Sequence, residues 1–346
     1  MAPLRVGEQW HEGEGKDPLR LSLRPYDGSQ ADLEALTAIR NQTLSATTRP
    51  EDYREVGPEE LARFYNRGDF QLVGNAWLVL HEDEPVAAAI VYPKAAFHDI
   101  PPGNFHLYVV PRFWKHGIGS RLLDHLEMAA TQRGHPVLET TVAAEDGKST
   151  RFLLNHGFAA VGRSIHLALL DLDRLPAFVG APSERGDAAP SSPLPDGFAI
   201  RSLAELQEPP ELYRQTSNRL GAYDLNYSLI TPEDLEAQID GGRWDPGGAL
   251  FMFDPGKRIV GVIRASLMGD GRGYLNEVRL EPASRGKGLG TALVAAALRH
   301  LADRGVKRVD LDTPGENTAA RNLALRAGFQ ETRHWLHYLK KLSLNV

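Results

Sequence analysis

The chain has 346 residues, 42% of them hydrophobic and 24% charged, with a net charge of −6 and no cysteine. That length exceeds one ordinary core and sets a prior of about two domains. The charge balance argues against a nucleic-acid-binding domain, and the lack of cysteine excludes disulfides, thiol nucleophiles and thiolate metal sites, so no metal is expected. No apolar run approaches the roughly 18 residues of a membrane span, so no membrane partner is expected. The first residues lack the apolar stretch of a signal peptide, which makes the cytoplasm the default location.

Residues 1–18 are polar and Gly-rich and read as a disordered leader. Residues 19–24 alternate like a strand, and 32–44 place Leu33, Leu36 and Ile39 at helical spacing. Pro58-Glu59-Glu60 opens a second helix, with proline in the first turn and acids at the positive end of the dipole. Residues 76–80 and 86–92 form a hairpin, and 105–110 add a strand ending at Pro111. A turn carrying Gly117 and Gly119 precedes a helix over 120–133. A strand over 137–142, a short helix over 150–155 and a strand over 164–172 complete the half.

Residues 175–197 are rich in Pro, Ala, Ser and Gly and read as a linker between domains at 19–174 and 198–346. The second half repeats the first. Gly288 follows Gly117 by 171 residues, as Pro282 follows Pro111 and Gly328 follows Gly157. Upstream, Pro232 follows Pro58 by 174 and Asn218 follows Asn41 by 177, so small insertions separate two copies of one domain.

The most telling stretch is 275–291, LNEVRLEPASRGKGLGT. A strand ends at Pro282, a glycine turn follows, and an Ala/Leu-rich helix begins at once. Glycines let the backbone approach a ligand, and the helix start adds N–H groups and positive dipole, which together make a phosphate cradle. A dinucleotide fingerprint would need a third small residue after Gly288-Leu289-Gly290 and a parallel strand pattern. The sequence offers neither.

With R-x-x-G-x-G at Arg285, Gly288 and Gly290, and N-x-x-A then G-F at Asn317, Ala320 and Gly328-Phe329, each half resembles the GNAT superfamily of acyl-CoA-dependent N-acyltransferases. The resemblance implies an α+β fold: two tandem GNAT-like domains, each a mixed, mostly antiparallel twisted sheet with helices on both faces. It implies acetyl-CoA as acyl donor. Its pyrophosphate would lie on the amides of Arg285, Gly286, Lys287, Gly288, Leu289, Gly290 and Thr291, and its pantetheine arm along Val278, Arg279 and Leu280. Asn317 joins that set, and Gly117 and Gly119 offer a second, weaker copy. The reaction implied is direct attack of an amine on the thioester, aided by a base and by an N–H donor near Val278 to Leu280.

Glu277 is the leading candidate for the base; a strand glutamate paired with Arg279 is the competing reading. Alternation puts Tyr274 and Asn276 on one face and Leu275 and Glu277 on the other, unless a bulge shifts the parity. Asp310 and Asp312 are further acids, and His106 stands where the first copy matches Glu277. The family often carries a tyrosine acid seven residues after the landmark asparagine, but Ala324 and Leu153 occupy that place here. Tyr274 and Tyr338 are the nearest substitutes. Trp114 replaces Arg285, and Asp146 and Ser149 replace Asn317 and Ala320, so the second copy is expected to catalyse and the first to be degenerate. The loop over 218–231 offers Tyr223, Asp224 and Tyr227 to an acceptor, with Trp244 beyond it. The expected partner is a small-molecule amine, bound by a monomer with an internal pseudo-dimer or by a homodimer. A non-catalytic acyl-CoA-binding protein and a protein N-acetyltransferase are the alternatives.

Overall fold

Period-two alternation builds the first strands. In the computed structural model, which describes residues 7, 9–12, 19–50, 53–65, 71–92, 103–172, 194–223, 229–240, 244–268 and 271–343, β1 (Gln9–Glu12) pairs antiparallel with β2 (Leu19–Pro25). Leu21 and Leu23 of β2 are buried while Arg20 is exposed. Residues 9–12 belong to the stretch expected as a disordered leader. They form a strand instead, because their backbone groups cover an otherwise open edge of β2. Most of the remaining leader lies outside the described residues.

α1 (Gln30–Thr47) starts at Ser29, whose hydroxyl accepts from the amide of Asp32, and α2 (Pro58–Tyr65) starts at its proline. Then come the hairpin β3 (Ala76–His81) and β4 (Glu84–Tyr92), β5 (Asn104–Val109), a 3-10 turn and α3 (Ile118–Gln132). β6 (Val137–Ala143), α4 (Gly147–Asn155) and β7 (Ala159–Leu169) close the first copy. The second runs β8 (Ala199–Ser202), α5 (Leu203–Leu206), α6 (Pro210–Gly221), α7 (Pro232–Asp240), β9 (Ala249–Phe253) and β10 (Ile259–Leu267). It ends with β11 (Gly273–Leu280), α8 (Leu289–Ala302), β12 (Val309–Pro314), α9 (Thr318–Arg326) and β13 (Gln330–Lys341).

The chain divides into two units, one of residues 1–162 with 336–346, the other of residues 163–335. The first copy therefore gives most of its last strand, and the second copy half of its last strand, to the other unit. Ile165, Leu167 and Leu169 of β7 pack in the second unit's core with Leu293 and Leu298 of α8, and β7 pairs antiparallel with β12 from Val309↔Leu169 to Pro314↔Ser164. Leu336 and Tyr338 of β13 pack in the first unit's core. Of the expected linker, residues 175–193 lie outside the described residues.

In each unit the sheet is mixed and mostly antiparallel, as expected, and a parallel contact joins β5 to β6 in the first and β11 to β12 in the second. Helices cover both faces. In the second unit Val262 of β10 faces Tyr213 and Leu220 of α6, while Ile263 and Ala265 face α8. These two faces carry different chemistry.

Candidate active site

β11 holds the decisive irregularity. It pairs with β10 as Gly261↔Leu280, Val262↔Arg279 and Ile263↔Val278, and then the register slips to Arg264↔Asn276. Glu277 is the residue left over, which makes it the extra residue of a β-bulge. Burial follows the slip: Leu275 before it and Val278 and Leu280 after it all pack towards α8. Glu277 and Arg279 consequently turn to the α6 face. The unbroken alternation described above is overturned at that point.

On that face Glu277 accepts a hydrogen bond from the hydroxyl of Tyr213, a fully buried residue of α6. Burial and the neighbouring carboxylate both push the Tyr213 phenol up, so it stays protonated and donates. Arg279 turns to Ser217 of α6, donating to its hydroxyl and to its carbonyl at 3.4 Å. The ring of Trp244 meets Tyr213 edge-on at 5.3 Å, and the guanidinium of Arg264 lies 5.5 Å from the same ring. Arg264 is only 8% exposed. Its Nη1 donates to Oε1 of Gln238 on α7, while its Nε has no partner. Holding a charge out of water costs several kcal/mol, against about 1 kcal/mol returned by one hydrogen bond to a neutral amide.

Beside β11 the sheet opens. β11 pairs with β12 only at Gly273↔Val309 and Tyr274↔Asp310, so among the described residues the ladder on that side stops before Leu275. Backbone groups further along β11 are thereby left for another partner. At the mouth of this gap stands the glycine turn. Gly286 and Gly288 have φ of +76° and +78°, a region that suits glycine, and Gly288 caps α8 with no side-chain hydrogen bond. The amide of Arg285, expected in the cradle, is instead taken by Pro282 O at 3.2 Å, and the next amide to bond back is that of Ala292, to Gly288 O at 3.1 Å. The amides over residues 286–291 thus remain open, as an anion cradle requires. A Cβ on Gly290 would meet Leu323 at 3.3 Å and Leu280 at 3.5 Å, so that glycine lets α8 sit close to β11. Arg285 donates from Nε to Leu280 O at 3.1 Å, which ties the turn to the strand.

A charged cluster lies where β11, β12 and β7 meet. Tyr274 donates to Asp312 at 2.8 Å, and His166 Nδ1 donates to the other oxygen of Asp312 at 3.0 Å. Asp310 is buried and tied by Arg272 at 2.6 Å and Arg308 at 2.9 Å, with His166 Nε2 at 3.6 Å. Burial would lower the His166 pKa, but the two aspartates outweigh it and raise it to about 9. Burial would likewise raise Asp310, but hydrogen bonds from His166 and Arg308 hold it below the usual range. Burial and Asp312 push the Tyr274 phenol up, which suits a donor and not an acid. His166 is absent from the sequence-derived candidates because it belongs to the first copy's last strand. One signal was readable: His337 stands 171 residues later.

The remaining candidates fall as follows. Asn317 caps α9, its side chain accepting from the amide of Ala320 at 3.1 Å. Tyr338 is buried in the first unit, its hydroxyl donating to that of Thr150 at 3.3 Å. Tyr223 is 55% exposed at the end of α6, while Asp224 and Tyr227 lie outside the described residues. Trp244 does join the site, through Tyr213.

The first copy keeps the turn. Gly117 has φ of +72° and caps α3, and a Cβ on Gly119 would meet Phe152 at 3.4 Å. Trp114 Nε1 donates to Val109 O at 2.6 Å, the same tie that Arg285 makes to Leu280. Asp146 accepts from Ser149 N at 3.1 Å, the same cap that Asn317 makes. However, β4 and β5 pair without a slip from Ala87↔Val109 to Tyr92↔Asn104. His106 therefore lies in an unbroken ladder, 2.8 Å from the Tyr65 hydroxyl and 3.1 Å from that of Tyr108. Burial, aided by the charge of Arg40, lowers its pKa to about 4.

Among the described residues no helix is long and apolar enough to cross a membrane. The sequence matches the acetyltransferase (GNAT) family over residues 36–158 and 219–329, which is most of both copies. Two curated relatives are mycothiol acetyltransferases. That of Thermobifida fusca is 29% identical over 262 residues, covering 69% of this chain and 76% of its own length. That of Kytococcus sedentarius is 26% identical over 291 residues, covering 81% and 91%. In fold, the chain is similar to a GCN5-related N-acetyltransferase from Sphaerobacter thermophilus, with TM-score 0.73, 22% identity and coverage of 94% and 97%. It is also similar to a tandem GNAT protein from the clavulanic acid biosynthesis pathway, with TM-score 0.66, 18% identity and coverage of 93% and 99%.

Proposed function

The chain belongs to the acetyltransferase (GNAT) family and is an acyl-transferring enzyme of tandem architecture; on that premise we propose that its second copy moves an acetyl group from acetyl-CoA to a primary amine of a small molecule. The observation that carries this reading is the bulge at Glu277, placed between an unladdered strand and an amide-lined turn. The second copy has all three features and the first copy lacks the bulge.

The residues present suit the donor. Open amides over residues 286–291 and the start of α8 hold a pyrophosphate, with Lys287 beside them. Free backbone along Val278, Arg279 and Leu280 meets an extended amide-bearing arm in the manner of an added strand. The thioester supplies the acetyl group, and its thiolate is a good leaving group that needs no dedicated acid. Glu277 takes the proton from the attacking ammonium, directly or through one water. Tyr213 holds that carboxylate in place. The amide of Val278, beside the bulge, donates to the oxygen on which negative charge develops. Asp312, fixed by Tyr274 and His166, lines the acceptor side. The family's mycothiol acetyltransferases support a small-molecule acceptor, as does the pairing of a half-buried carboxylate with aromatic neighbours. We further propose a monomer, since each copy's sheet already receives a strand from the other within one chain.

Release of free CoA from acetyl-CoA, followed across a panel of primary amines, tests the assignment. Glu277→Gln is expected to lower kcat by roughly 10²- to 10⁴-fold, the usual worth of a general base, while His106→Gln leaves it unchanged. Acetyl-CoA binding without release for any amine would make the protein an acyl-CoA-binding module instead.

A further inference from the structure

Arg264 is unexplained by the acetyl-transfer reading. It lies on β10 next to the register slip, 8% exposed, on the face that presents Glu277 and Tyr213. Its neighbours there are the Tyr213 ring, at 5.5 Å from the guanidinium carbon, and Oε1 of Gln238, which takes the Nη1 hydrogen. Nε is shielded from solvent and bonded to nothing in the protein. Among the described residues no carboxylate lies within ion-pair distance of this guanidinium, although most buried arginines have one. The structure thus holds a cation beside the base without using it.

With Nη1 engaged by Gln238, the edge formed by Nε and Nη2 is the one that remains. That edge presents two parallel N–H groups, a fork that matches the two oxygens of a carboxylate. On the same face, one tyrosine ring away, Glu277 is anionic chemistry of opposite sign. A cation and an anion bridged by a single Tyr213 ring form a receptor for a molecule carrying both charges.

We propose that the acceptor is an amino acid in the broad sense: a primary amine whose ammonium goes to Glu277 and whose own carboxylate goes to the Nε/Nη2 edge of Arg264. This rests on the acetyl-transfer reading for the amine and adds the anionic half. Arg264 is in this account a specificity-determining residue, and it touches the substrate away from the reacting atoms. Gln238 positions it by fixing the rotation of the guanidinium plane.

The test pairs each acid with its neutral twin. Glycine, β-alanine and 4-aminobutyrate are compared with glycinamide, β-alaninamide and 4-aminobutyramide as acceptors, and N-acetylglycine with N-acetylglycinamide as ligands in calorimetry. The acids are expected to exceed their amides in kcat/KM by tenfold or more, chiefly through KM, and N-acetylglycine to bind more tightly than its amide. Arg264→Met should erase both preferences while leaving the KM for acetyl-CoA unchanged, and Arg264→Lys should restore part of them. Equal use of acids and amides by the unmodified protein overturns the proposal, and so does a preference that survives in Arg264→Met. Because the comparison is made first in the unmodified protein, a variant that fails to fold does not blunt it. If no amine is acetylated, the acetyl-transfer reading fails by itself, and the calorimetric pair still decides whether this face selects a carboxylate.

Discussion

The two copies agree where they look different in sequence and differ where they look alike. Trp114 and Arg285 are unrelated side chains, yet each donates a ring or guanidine N–H to the carbonyl ending the preceding strand. Asp146 and Asn317 differ in charge, yet each caps the next helix through one oxygen. Neither exchange degrades the turn. The structural divergence lies in the backbone of one strand: β11 slips by one residue at Glu277, and β5 runs through His106 without a slip. A bulge frees an amide and aims a carboxylate; an unbroken ladder does neither. The lesson is that the two copies are told apart by backbone irregularity better than by side-chain signatures.

Four measurements sharpen or break this contrast, beyond the Glu277 and His106 pair already given. The largest effect is expected from the turn. Gly288→Val puts a β-branched residue at φ of +78° and crowds the cradle. Turnover should fall by roughly a thousandfold, comparable to losing oriented N–H donors at a charged group. Gly117→Val should leave turnover intact, and a loss there instead would move catalysis to the first copy.

Next is Tyr213→Phe, which removes the donor to Glu277. At the 177-residue register the first copy has Leu36, and the hydroxyl beside His106 comes instead from Tyr65 of α2. A hydrogen bond to a charged group is worth about 1.5–3 kcal/mol, which sets an upper bound of roughly a hundredfold on kcat/KM. An unchanged pH–rate profile in that variant would separate Tyr213 from the base.

The histidines titrate in opposite directions. His166, raised from 6.5 to about 9, favours the folded state fully below pH 6.5, and that contribution is lost as pH rises towards 9. His106, lowered from 6.5 to about 4, contributes above pH 6.5 and is lost as pH falls towards 4. Thermal denaturation against pH should therefore show both flanks. His166→Asn should flatten the alkaline one and His106→Asn the acidic one.

The smallest effect is at Lys115, which has φ of +67° where the second copy has Gly286. Lys115→Gly should stabilise the protein by up to about 1 kcal/mol, read as a small rise in denaturation midpoint.

Much of this was legible in the chain. The helices at 30–47 and 289–302 follow from apolar spacing and from the residues at their starts, and the glycine turn was readable because its φ values and its close approach favour glycine. The pairing of Tyr213 with Glu277 was not, since 64 residues separate partners joined only by the packing of α6 on β11. His166 was hidden for a stronger reason: it reaches Asp312 across 146 residues, from a strand belonging to the other copy. Asp224 and Tyr227 were proposed from composition and lie outside the described residues.

Local chemistry is what a sequence carries, so repeat, fold, turn and the identity of a carboxylate before it were determined by residues near one another. Which face that carboxylate occupies was a tertiary matter. Alternation alone sent Glu277 to the side of Leu275, and a one-residue slip against β10 sent it to Tyr213. Pairing register depends on two strands at once, and neither strand encodes it by itself.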